Sequence, residues 1–195
     1  MPYSGSRRDD GLPAEAGRDP MTTERWAIHL HKENFKFSCA HFLIFPDGSK
    51  ERLHGHNFQV QVRLSLRSIA LKDLCDFGVI KRVVADLCGE LNERTLVALN
   101  NPFLRVTVES MNDNDTSPSR ELVRLSHMSG EYLLPRTDVV LLPLENITSE
   151  MLARWLHGEL CRRLRSRLPP VVESLEVGVL ETPGQGGFYE GPFEV

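Results

Sequence analysis

The chain has 195 residues, 41% of them hydrophobic, which is enough for one domain of ordinary size with its own core. A formal net charge of −4 and the absence of any basic run argue against general nucleic-acid binding. No apolar stretch approaches the roughly 18 residues that span a bilayer, and no charged-then-apolar leader marks a signal peptide. A cytoplasmic protein with no membrane partner is therefore expected. The four cysteines, Cys39, Cys75, Cys88 and Cys161, are scattered within apolar patterns. They read as reduced, mostly buried thiols rather than a disulfide frame.

Residues 1–23 are rich in Gly, Pro, Arg and Asp and nearly devoid of apolar side chains. They are expected to be disordered, outside a domain of residues 24–195, and Met21 is an alternative start. The segments 25–45 and 53–66 alternate apolar and polar residues, the period of half-buried strands. Between them stands Pro46-Asp47-Gly48-Ser49, and Asp-Gly is a strong two-residue hairpin turn signal. With Asp47 and Gly48 as the turn, Pro46 opposes Ser49 and, counting outward, His41 opposes His54. On a strand His54 and His56 point to one face. Three imidazoles (His41, His54 and His56) then converge. Three neutral histidines leaving one position open are the ligand set of a catalytic zinc site. His29 and His31 share the His-x-His spacing, but nothing nearby supports them, and they read as the exposed face of the incoming strand.

Asp76 is placed to cap a helix running to about Leu96, with Val79, Ile80, Val83, Val84, Leu87, Cys88 and Leu91 on its buried face. Residues 102–143 are less regular. Residues 104–108 and 132–134 are expected to pair as a hairpin around the polar stretch 112–120, with His127 exposed beside a loop. Thr148 is expected to cap a second helix, whose stripe is Met151, Leu152, Trp155, Leu156, Leu160, Leu164 and Leu168. Arg162, Arg163, Arg165 and Arg167 favour that helix's negative end ahead of any phosphate site, and Pro169-Pro170 stops it. Residues 174–181 form another strand and 187–193 a last short one. The order predicts an α+β fold, with both helices on one face of an antiparallel sheet.

The run Phe37-Ser-Cys-Ala-His41 followed by His54-Gly-His56-Asn-Phe resembles the 6-pyruvoyl-tetrahydropterin synthase / 6-carboxytetrahydropterin synthase family. Asp76-Phe-Gly-Val-Ile-Lys81, Thr148-Ser-Glu-Met-Leu-Ala153 and Glu181-Thr-Pro-Gly match too, in the family's order, and together span nearly all of residues 26–192. Residues 103–143 look like an insertion relative to shorter members. The resemblance implies the tunnelling fold (T-fold), in which subunits join through sheet edges into barrels. Hexamers built as dimers of trimers are the usual assembly. It also implies bound Zn2+ and a small-molecule pterin substrate. It gives Glu181 the role of pterin anchor, since a carboxylate can accept both the ring N–H and the exocyclic amine. Without the resemblance, Glu181 would read as a surface residue ending a strand.

The family's usual base is a cysteine shortly before His-Gly-His, activated by an Asp-His pair in Leu-Asp-His. Here no cysteine lies between His41 and His54, and the pair aligns with Asn92-Glu93. Cys39 reads as packing, and a proton-transfer role for Glu93 is left open. The spacing Glu51-Arg-Leu-His54 resembles the type III variants, in which Glu replaces the catalytic Cys. Those enzymes convert 7,8-dihydroneopterin triphosphate into 6-hydroxymethyl-7,8-dihydropterin, a folate precursor. A strictly regular two-residue hairpin would put Glu51 on the face opposite His54, so its use as a base requires an irregular chain between Lys50 and Leu53. Other activities to weigh are a 6-carboxytetrahydropterin synthase of the queuosine route and a 6-pyruvoyl-tetrahydropterin synthase. A reading of another class is a non-catalytic protein that binds zinc and a pterin.

Overall fold

The structure, a computed structural model, describes residues 25–111 and 120–193. The expectation of disorder for residues 1–23 falls outside them. Two long strands form the centre: β1 (Trp26–His41) and β2 (His54–Leu66), paired antiparallel. Along β1, Phe35, Phe37, Cys39 and His41 are buried, while Lys36 and Ser38 between them are exposed. Alternation thus sends one set of side chains into the core. His29 and His31 lie on the exposed face, in agreement with the sequence.

Helix α1 (Phe77–Leu91) starts where Asp76 Oδ1 accepts from Gly78 N at 2.7 Å. It stops five residues before the expected Leu96. Asn92 is extended and Glu93 takes φ 57°, so the chain reverses there. The next element is a strand, β3 (Arg94–Ala98), with Leu96, Val97 and Ala98 all buried. A run buried on both faces carries no alternation, so in sequence it is indistinguishable from the end of the helix.

The segment 103–143 also departs from expectation. It holds β4 (Arg105–Met111), β5 (Arg120–His127) and β6 (Gly130–Pro135), hydrogen-bonded in the order β4-β5-β6. The strand β5 separates the two segments expected to pair with each other. Its core residues Val123 and Leu125 are wholly buried, but the alternation is short, because Glu121 and Leu122 before them are out of phase. The chain then returns to the main sheet as β7 (Val139–Leu142). Helix α2 (Ser149–Leu164) comes next, capped by Thr148 as expected, and β8 (Val172–Thr182) and β9 (Gln185–Pro192) complete the fold.

The main sheet runs β7-β3-β1-β2-β8-β9. Its β1, β2, β8 and β9 are antiparallel as anticipated, while β3 and β7 add parallel pairs, so the sheet is mixed. Both helices share one core with Phe37, Phe58, Val60, Leu64, Val177 and Val179. On α2 the stripe is rotated slightly from the expected one: Met151 and Trp155 are half-buried, whereas Ala153, His157 and Cys161 are buried. Arg163 holds Glu90 of α1 with two bonds of 2.6 and 2.8 Å, so part of the basic cluster ties the helices together. A second, smaller core of Phe42, Ile44, Val97, Leu104, Val123, Leu125 and Val139 joins the three-stranded sheet to the hairpin end.

Candidate metal centre

His41 ends β1 and His54 opens β2, and the two are directly paired across the ladder. His56 lies on the same face, two residues along. The three rings lie with centroids 4.7, 5.2 and 4.9 Å apart, and a nitrogen from each falls within 4.8 Å of the others. Phe58, two residues further along β2, is wholly buried and puts its ring 5.6 Å from both His41 and His56. It forms an apolar floor under the cluster.

Two of the rings are aimed by backbone carbonyls. His41 Nδ1 lies 2.9 Å from Ile147 O, and His54 Nδ1 lies 2.8 Å from Arg52 O. A carbonyl can only accept, so both Nδ1 atoms carry the proton and both Nε2 atoms offer a lone pair. His41 is 2% exposed, and its Nε2 is buried with no hydrogen-bond partner among the described residues. His54 Nε2 meets His56 Nε2 at 3.1 Å. A tetrahedral zinc with Zn–N bonds of about 2.0–2.1 Å needs nitrogens about 3.3 Å apart. The His54–His56 pair is near that spacing and all three nitrogens lie within 4.8 Å of one another, so an orphaned buried lone pair and two neighbouring imidazoles form a donor set of the kind that holds this ion. Burial, then the neighbouring His54 and His56, push the His41 pKa down to about 4, against the opposing effect of the hydrogen bond to Ile147 O. The ring is therefore neutral and ready to ligate at physiological pH.

Neither carbonyl partner could be read from side-chain identity. The loop before α2 supplies one of them. It grips the hairpin through Asn146, whose side-chain amide bonds both Ile44 N, at 3.2 Å, and Ile44 O, at 2.8 Å.

The turn differs from the expected one by a single residue. Gly48 N donates to Phe45 O at 2.9 Å, and Ile44 pairs with Lys50. Pro46, Asp47 and Gly48 form a three-residue loop, with Gly48 at φ 81°. Between the Ile44–Lys50 bridge and the His41–His54 pair, the second strand therefore holds one residue more than the first. The extra residue, at Arg52-Leu53, turns Glu51 back to the histidine side. Glu51 Oε2 lies 4.0 Å from His54 Nε2 and 3.3 Å from Leu43 N, which donates to it. The irregularity that a role for Glu51 demands is present.

The other expected residues lie elsewhere. Glu181 sits at the end of β8, one residue past the Gln59–Leu180 pair, half-buried and accepting from Gln185 Nε2 at 3.2 Å. It is a neighbour of Phe58 across the sheet rather than a member of the cluster. Cys39 is buried, and burial raises its pKa to about 12. Glu93 is exposed and lines a cleft of about 440 Å³ whose walls include Ser38, Cys39, Gly55, His56 and Asn57, so it stands outside the three-histidine cluster but shares this cleft with one of its members. His127 is not exposed: it is 9% accessible, and its Nε2 lies 2.9 Å from Gly48 O. The three-stranded sheet packs on the hairpin tip, a contact between distant segments that carries no local sequence signal.

The family model for 6-pyruvoyl tetrahydropterin synthase matches residues 29–192. A protein of Methanocaldococcus jannaschii, provisionally named 6-carboxy-5,6,7,8-tetrahydropterin synthase, is 29% identical over 161 residues, covering 82% of this chain and 92% of its own. A similarly named protein of Pyrococcus horikoshii is 26% identical over 149 residues, 76% of this chain and 81% of its own. Among solved structures, the 6-pyruvoyl tetrahydropterin synthase of Plasmodium vivax superimposes with a TM-score of 0.72 at 24% identity, over 87% of this chain and 99% of that one. Two further structures of that protein, with the same scores, carry alanine or cysteine in place of a glutamate described as its catalytic residue. The mixed sheet with two helices on one face is thus the T-fold, and with its family motifs matched from the first strand to the last the chain belongs to the 6-pyruvoyl tetrahydropterin synthase family.

Proposed function

We propose that this protein is a zinc-dependent pterin lyase that acts on the side chain of 7,8-dihydroneopterin triphosphate and releases 6-hydroxymethyl-7,8-dihydropterin. The observation that carries this reading is the extra residue at Arg52-Leu53, which sets the Glu51 carboxylate beside the three histidines. His41, His54 and His56 are the proposed zinc ligands. The ion, when bound, supplies Lewis acidity toward substrate hydroxyls. Glu51 is the proposed base. It takes the proton of the hydroxyl whose oxygen becomes a carbonyl as C1′–C2′ breaks, the electron pair passes to the C1′ side, and a proton is then returned there. Leu43 N keeps the carboxylate oriented meanwhile. Glu181, at the edge of the Phe58 floor, is the proposed anchor for the pterin N–H and amine. The catalytic glutamate of the Plasmodium vivax protein supports the assignment of Glu51.

A 6-carboxytetrahydropterin synthase is the second reading, favoured by the names of the archaeal relatives. Against any thiol-based activity stands Cys39, buried and with its pKa raised to about 12. The deciding experiment is turnover of 7,8-dihydroneopterin triphosphate by the zinc-loaded protein, with products identified by mass, beside Glu51→Ala. We expect the hydroxymethyl product, and a loss of about 10²–10⁴-fold in the variant at unchanged zinc content. A 6-carboxy or 6-pyruvoyl product would select the alternative synthases. Zinc and pterin binding without any product would select a non-catalytic binding protein.

A further inference from the structure

The three-stranded sheet reaches the proposed base through one side chain. In a regular ladder, Leu43 and Glu51 would exchange two backbone bonds. Only one forms: Glu51 N donates to Leu43 O at 2.9 Å. The other place is taken by the Glu51 carboxylate, which accepts from Leu43 N. The displaced Glu51 carbonyl is instead met by Lys50 Nζ at 2.9 Å. The same ammonium donates to Tyr132 Oη of β6 at 2.9 Å, and it sits over the rings of Phe42 and Tyr132 at 4.8 and 5.0 Å. Those rings are stacked with centroids 5.8 Å apart. Lys50 is thus fixed by two oxygens and two ring faces, three of these four partners being side-chain groups of β6 and the strand end after His41.

From this arrangement we infer that Lys50 and Tyr132 are positioning residues for Glu51, and that the three-stranded sheet acts as a brace for the base. The inference rests on the assignment of Glu51 as base. Satisfying the displaced carbonyl allows the carboxylate to occupy its place in the ladder. Without the ammonium, that carbonyl would compete for Leu43 N, and the carboxylate would swing free. The brace acts on the placement of Glu51 and leaves the histidines and the substrate alone.

The test uses the full-length, zinc-loaded protein with Lys50→Met, which keeps the length of the stem, and Tyr132→Phe, which removes only the hydroxyl. Each is also made in the Glu51→Ala background. Misplacement of a reacting group by about 1 Å can cost about 10²-fold. We expect kcat to fall about 10- to 100-fold in Lys50→Met and less in Tyr132→Phe, with KM and zinc content unchanged. In the Glu51→Ala background neither change should slow the enzyme further, because both act through the side chain already removed. Amide hydrogen exchange supplies a readout free of activity: peptides covering 43–53 should exchange faster in both variants, and those of α1 and α2 should not. An equal loss of kcat with and without Glu51 overturns the inference, as does exchange at wild-type rates across 43–53. If the wild type makes no hydroxymethyl product while the exchange pattern appears, the lyase reading fails, and Lys50 and Tyr132 are left as residues that order the Glu51 side chain without a base to position.

Discussion

His41 shows how one residue can couple folding to pH. Its ordinary pKa of 6.5 falls to about 4 in the fold, first because burial disfavours the cation. The unfolded chain therefore binds a proton at a pH where the folded chain does not. Stability from this group is fully present above pH 6.5 and is lost as pH falls toward 4. For a shift of this size the loss is about 3 kcal/mol. His157, lowered by burial too, adds in the same direction. Urea unfolding of metal-free protein at pH 7.5 and at pH 5 should reveal the loss, and it should shrink in His41→Gln. That His41, His54 and His56 converge is legible in the sequence, because a strand's period puts His54 and His56 on one face, and the extra residue at Arg52-Leu53 offsets the longer turn and restores the His41–His54 pair. The groups that hold them are not, since Ile147 O and Arg52 O are backbone atoms that any residue would offer. Cys39 illustrates the opposite case: proximity in sequence offers a thiol for chemistry, and burial removes it. A thiol reagent should leave the native protein's cysteines largely unmodified and label them on unfolding, as all four are buried.

At the scale of the element, the hairpin depends on a turn one residue longer than Asp-Gly suggests. Gly48 holds a positive φ, and a Cβ there would stand 3.3 Å from the Phe103 ring. Gly48→Ala should therefore cost about 1–2 kcal/mol from the backbone conformation. If the strain shifts the turn, activity should fall more than stability, because the same stretch of chain goes on to set Glu51. Thermal unfolding and steady-state rates measured on the same sample separate the two effects. The helix starts are legible because capping is a local rule: Asp76 and Thr148 each accept from the first turn, and Asp76→Ala should cost about 1 kcal/mol in chemical denaturation. The strands β3 and β5 are not. One is buried on both faces and has no alternation to read, and the other alternates only from Val123 to His127, a run shortened by Glu121 and Leu122 standing out of phase.

On the scale of the molecule, the main sheet leaves hydrogen-bonding capacity at its margins. Both β7 and β9 are edges, and β1 meets β3 only at Cys39 and Ala40. Bare edges of this length invite pairing with another copy. The hexamer that the family resemblance implies, a dimer of trimers, would use them, and sedimentation of the zinc-loaded protein tests for that mass. A charged substitution at an exposed apolar position of β9, such as Phe188→Lys, should leave smaller species if that edge is used. Among the described residues no helix is long and apolar enough to cross a membrane. The fold class is legible because helix and strand periods alternate along most of the chain. The mixed character of the sheet is not, since parallel neighbours are set by where the chain returns.

That return gives the three-stranded sheet a second significance. The strands β3 and β7 are parallel neighbours, and a chain leaving the end of one must travel back along the sheet before starting the other. Residues 99–138 are that journey. Trimming them to a tight loop would not yield a leaner enzyme: it would drag β7 off the sheet edge, and with it the segment that carries Ile147 to His41.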